Sequence, residues 1–185
     1  MRKIVITQNL TADGVMDMSG GWFDPAAQGV DQSDLVEVNR VHQDAADVLL
    51  VGRGTFESFR DFWPHLRDDT TGVADYLQRV QKHVVSSTLT EPGWTNTTVV
   101  RGPAADHVRA LRSGEGGDVV ITGSPRLAQE ALREGLVDEL RLFVFPVAVG
   151  TGQRLFPEGT AIRLEPLESR GFAVGCTLLR YRVRP

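Results

Sequence analysis

Four times along the chain, an apolar β-branched run gives way to a segment with apolar residues at helical spacing. After that only strand-like runs remain. Ile4-Val5-Ile6 opens a strand running to near Leu10. Further strands are expected at Val48–Val51, His83–Ser86, Thr97–Val100, Asp118–Thr122, Leu140–Val149, Ala161–Leu167 and Phe172–Val183. From Asp31 to Ala46, Leu35, Val38, Val41, His42 and Ala45 mark a helix that Ser33 can cap. Shorter helices are expected at Thr55–Phe62, Val73–Val80, Ala104–Leu111 and Arg126–Arg133, with a loop at Trp63–Thr71. Val48-Leu49-Leu50-Val51 is apolar throughout, as a strand covered on both faces must be. This alternation implies a three-layer α/β fold with a mostly parallel sheet and helices on both faces. The strand-only tail implies an antiparallel extension of that sheet.

At 185 residues, with 41% hydrophobic and 24% charged, the chain can bury one full core, so a single domain over 1–185 is expected. The net charge is −4 and no long run carries one sign, which argues against nucleic-acid and anionic-membrane partners. The apolar stretch after Met1-Arg2-Lys3 is too short for a signal peptide or a membrane span, so a cytoplasmic protein is expected. Cys176 is the single cysteine, which excludes an intrachain disulfide. His42, His65, His83 and His107 are widely spaced, so no metal site is expected.

In open α/β sheets ligands bind beyond the carboxyl ends of the strands. Three such ends carry suggestive residues. Gly52-Arg53-Gly54-Thr55 opens a helix, where glycines admit a ligand and Arg53 offers a cationic fork. Ser86-Ser87-Thr88 offers hydroxyls. Gly123-Ser124-Pro125 enters another helix, with Ser124 as the cap and Pro125 at the first position. Each set also suits an ordinary turn or cap. Neither GxGxxG, GxxxxGK[ST] nor GxSxG occurs. The stretch from Thr11 to Val30 has no period, yet it holds Trp22 and Phe23. A loop of that length is usually functional, so these rings either pin it down or line a pocket as a lid. Asp34, which follows on the first helical turn, is the carboxylate to watch for handling a proton, although the helix dipole favours an acid at that place in any case.

Taken together, Leu10-Thr11-Ala12-Asp13-Gly14, Leu50 to Glu57, Val84 to Thr88, Val120 to Ser124 and Gly135 to Leu140 resemble the dihydrofolate-reductase-like family. The nearer likeness is to its riboflavin-biosynthesis reductase branch, through Pro146, Gly150 and Arg154-Leu155-Phe156. The resemblance implies an eight-stranded, mostly parallel sheet with NADPH across the strand ends. By position, Gly52, Arg53 and Thr55 would meet cofactor phosphates. Ser86 and Ser87 would lie by the adenosine ribose and its 2′-phosphate, and Gly123 and Ser124 by the pyrophosphate. The loop carrying Asp13, Trp22 and Phe23 would cover the nicotinamide and substrate, with Asp34 as the substrate-side acid. Homodimers are implied as well. The expected activity is NADPH-dependent reduction of a small heterocyclic or carbonyl substrate, resembling the phosphoribosylamino-uracil reductase of riboflavin biosynthesis. The alternatives are a true dihydrofolate reductase and a nucleotide-binding protein without turnover.

Overall fold

In the computed structural model, which describes residues 1–18, 20–23 and 31–184, every β-branched run enters one sheet. Its strands are β1 (Ile4–Thr11), β2 (Ala46–Gly52), β3 (Gln81–Val85), β4 (Thr97–Val100), β5 (Asp118–Ile121), β6 (Glu139–Phe145), β7 (Arg163–Gly171) and β8 (Thr177–Arg184). They lie in the order β4-β3-β2-β5-β1-β6-β8-β7. Strands β1 to β6 run parallel, while β8 pairs antiparallel with β6, and β7 with β8. The helices are α1 (Ser33–Asp44), α2 (Arg53–Phe62), α3 (Val73–Arg79), α4 (Ala104–Ser113) and α5 (Pro125–Arg133).

The two-residue period of the strands sorts the core into two layers. Val5, Leu49, Val51, Val84 and Val120 pack with Phe56 of α2 and Tyr76 and Leu77 of α3. Ile4, Ile6, Leu50, Val119 and Ile121 pack with Val108 of α4 and Leu127, Ala128 and Ala131 of α5. Helix α1 covers the other half of the first face, laying Leu35 and Val38 against Phe143, Phe172 and Leu178. Among the described residues no helix is long and apolar enough to cross a membrane.

Several boundaries differ from the sequence expectation. Ser33 is not the cap of α1; it is the first helical residue, and Asp31 accepts its N–H at 3.0 Å. The strand expected over Leu140–Val149 stops at Phe145, because Ala12 N–H bonds Val147 and draws the chain aside. The run Phe172–Val183 begins as a turn closed by Phe172 N–H on Cys176, and its strand starts at Thr177. A 3-10 turn, Trp63–His65, lies in the expected loop. No helix joins β3 to β4; residues 86–96 have no apolar period to form one. Edge strand β7 carries Pro166 beside a register shift, which blunts it against pairing with another sheet.

Lys82 occupies an inward position of β3 with no exposure at all. Its ammonium donates to the carbonyls of Leu77 at 2.6 Å and Val80 at 3.0 Å, closing the C-terminal end of α3, and lies 4.7 Å from the Trp94 ring centroid. Burial pulls its pKa down to about 8. The unfolded chain therefore holds more protons than the native one above that value, and stability rises with pH. Between pH 8 and pH 9.5 the expected gain is roughly 1–2 kcal/mol. Beyond about pH 10 the Tyr76 phenol, which burial keeps protonated, works in the opposite direction. Urea denaturation across this window should show the wild type gaining on Lys82→Met, whose own profile falls slightly because burial also holds the Cys176 thiol above its usual range. A constant gap between the two proteins would show that the buried ammonium is not titrating.

Candidate active site

Helices α2 and α5 lie on opposite faces of the sheet, yet their N-termini meet at its carboxyl edge. Gly52, the residue before α2, donates its N–H to Ser124 Oγ at 2.8 Å, and Ser124 is the residue before α5. Two positive helix ends thus converge on one point. Ser124 N–H donates to Thr55 Oγ1 at 2.9 Å, and the two hydroxyls lie 2.9 Å apart. Two amides donate into this pair and one hydroxyl donates to the other. One O–H proton of the pair remains to donate outward, which suits an acceptor such as a phosphate oxygen.

Gly123 and Ser124 are both left-handed, at φ 58° and 41°. This orientation explains why Ser124 does not cap its own helix as expected from the sequence: its side chain makes no cap bond and turns to α2. Gly123 is required on steric grounds, since an added Cβ would lie 2.6 Å from Thr55 Cγ2. Its N–H donates to Gln8 Oε1 at 2.9 Å.

Arg53 reaches the second expected set, donating from Nη1 to Thr88 Oγ1 at 3.0 Å, with Glu57 at 3.8 Å from its Nε. Ser86 Oγ accepts the N–H groups of Thr88 and Leu89, so it shapes this turn, while Ser87 is exposed. Arg101, not singled out from the sequence, donates to the carbonyl of Ser86 at 2.8 Å and to that of Leu89. Two guanidinium groups therefore flank the turn.

A second group gathers at the ends of β1 and β6. Asp13 accepts from the Thr11 hydroxyl at 2.5 Å and from Gly150 N–H at 2.8 Å, and these bonds hold its carboxyl below the usual range. Its carbonyl accepts from Arg154. Asp13 thus clasps residues 147–154 against β1, and Gly152 lies close under it: a Cβ there would meet Val15 Cγ1 at 2.6 Å. Trp22 and Phe23 close on Phe145, with ring centroids at 5.6 and 5.3 Å, and Trp22 Nε1 donates to the Asp17 carbonyl. Residues 24–30 of the expected lid lie outside the described residues. Asp34, half-buried, accepts Ala173 N–H at 3.0 Å. Cys176 beside it is buried, its thiol pushed up to about 11 and so protonated at neutral pH. Among the described residues no three His, Cys, Asp or Glu groups gather to hold a metal.

The structure therefore joins Gly52, Arg53, Thr55, Gly123 and Ser124 into one contact network that reaches the Ser86–Thr88 turn. Asp13 and Asp34, with Trp22 and Phe23, border the neighbouring strand ends, and no hydrogen bond links the two groups among the described residues. Gln8 escaped the sequence reading, although its signal was there: it is the one polar side chain in the alternating series Ile4, Ile6, Gln8, Leu10.

Known proteins share this architecture. Residues 2–178 match the model of the RibD C-terminal domain. YyaP of Bacillus subtilis (strain 168) is 26% identical over 183 residues, covering 97% of this chain and 94% of its own length. A Shewanella sp. PV-4 protein whose name refers it to riboflavin biosynthesis superposes with a TM-score of 0.73 at 21% identity, with 99% of each chain covered. Enterococcus faecalis dihydrofolate reductase, complexed with NADP(H), superposes with a TM-score of 0.66 at 14% identity, covering 99% of this chain and 97% of its own.

Proposed function

From the premise that this chain belongs to the RibD C-terminal domain family, we propose that it is an NADPH-dependent reductase of a small heterocyclic or carbonyl substrate. The observation that carries this reading is the convergence of the α2 and α5 N-termini on Gly52 and Ser124, with an outward hydroxyl proton. An anionic diphosphate suits that place, because two helix dipoles and an outward hydroxyl donor favour it. Arg53, Arg101 and Ser87 suit a 2′-phosphate. When bound, NADPH supplies the hydride. The Trp22–Phe23–Phe145 group keeps water from the substrate side, and the proton the reduced product needs arrives from Asp34 or an ordered water.

The test compares two cofactors. Arg53→Ala should weaken NADPH binding by about 1.5–3 kcal/mol, the worth of a charged hydrogen bond, and leave NADH nearly untouched. Calorimetry with both dinucleotides measures this. Equal losses would move Arg53 to the shared diphosphate. A wild type that binds neither dinucleotide would end the reading.

A further inference from the structure

We propose that Gln8 is the positioning residue of the dinucleotide site, holding the Gly123–Ser124 turn in its left-handed form. This inference rests on the reductase reading, because it concerns the same edge of the sheet. Gln8 lies on β1 with 2% exposure, on the face that otherwise carries Ile4, Ile6 and Leu10 into the α4–α5 core. A primary amide in such a layer is unfavourable unless its polar atoms are bonded. Its Oε1 accepts Gly123 N–H at 2.9 Å, across 115 residues of sequence, and its Nε2 donates to the Asn9 carbonyl at 3.2 Å.

The turn it holds needs such support. Successive left-handed residues, one of them a serine, persist only where their surroundings over-determine them. Three bonds do so here: Gly123 N–H to Gln8, Ser124 N–H to Thr55, and Gly52 N–H to Ser124 Oγ. The last two depend on residues already placed in the site. Only the first anchors the turn to the central strand β1, which lies next to β5. If the Gly123 amide were free to rotate, Ser124 would lose the orientation that directs its hydroxyl to α2. The α2 and α5 ends would then no longer share one point. The side chain has no chemistry of its own to offer a hydride transfer, so its effect must come through geometry.

Gln8→Leu keeps the volume and removes the acceptor. NADPH binding is measured by calorimetry on the folded proteins, and the Gly123 and Ser124 amides are followed by NMR shift and hydrogen exchange. The expected result is a fall in NADPH affinity of tenfold or more in Gln8→Leu. Gly123 exchange should speed up by a similar factor while the Ile4 and Ile6 amides stay protected. A Gln8→Leu protein that binds NADPH like the wild type, or loses affinity without any change at Gly123, overturns the proposal. If the wild type itself binds no NADPH while Gln8→Leu still releases the Gly123 amide, the cofactor reading is what has failed, and the positioning role falls with it.

Discussion

Gly123→Val should abolish dinucleotide binding and cost roughly 3–5 kcal/mol of stability, combining left-handed strain with overpacking. The added Cβ would lie 2.6 Å from Thr55 Cγ2 and 2.9 Å from Thr55 Oγ1, and a β-branched residue at φ 58° has no relaxed rotamer to escape into. Either α5 moves away from α2 or the turn changes hand. In both cases the two helix ends part. Urea denaturation gives the stability term, and calorimetry on the folded fraction gives the affinity, for which a loss beyond a hundredfold is expected. Ser124→Gly is the control. It keeps the turn and relieves strain but gives up the bond to Gly52, so its affinity should fall by about tenfold, roughly 1.4 kcal/mol, without the loss of stability. A Gly123→Val protein with unchanged midpoint and normal binding would place the phosphates elsewhere.

Arg141→Ala is expected to be as damaging to stability, by about 3–5 kcal/mol, but harmless to the site. Arg141 is 4% exposed and bonds two carboxylates, Glu139 at 2.9 Å and Asp118 at 2.8 Å. Arg180 also holds Glu139 and passes on to Glu168. Burial alone would raise the Glu139 carboxyl, but the hydrogen bonds from Arg141 and Arg180 hold it below its ordinary 4.5. A lowered acid of this kind adds stability above that value and loses it as pH falls. Removing Arg141 takes away part of this contribution. The gap between variant and wild type should therefore be widest at neutral pH and narrow below about pH 4.5. Asp118 and Glu139 begin their strands, at the end of the sheet opposite Gly52 and Ser124. Dinucleotide binding by the folded variant should match the wild type. A constant gap from pH 7 to pH 4 would show that the cost is lost packing and not lost ion pairing.

Both predictions turn on contacts between residues far apart in the chain, and that is where reading the chain alone stops. The strands and helices were legible because hydrophobic period is a local property: Val48–Val51, buried on both faces, announces its own surroundings. The glycines and hydroxyls at three strand ends were legible for a similar reason, since a parallel sheet delivers its strand ends to one edge whatever the strand order. What local pattern could not supply was which ends touch. Gly52 and Ser124 are separated by 72 residues, and only the order β2-β5-β1 makes their helices neighbours. The same order puts Gln8 under Gly123 and lets Arg141 reach across β1 to Asp118. Ser33 and Ser124 each suggested a cap by position, yet the backbone angle decided: Ser124 at φ 41° turns its hydroxyl away from its own helix. No local pattern singles out Lys82 or Arg141, and only the packed layers make one a helix closure and the other the centre of an ion network. Period is written in neighbours along the chain, whereas hydrogen-bond partners are chosen by the sheet that brings distant segments side by side.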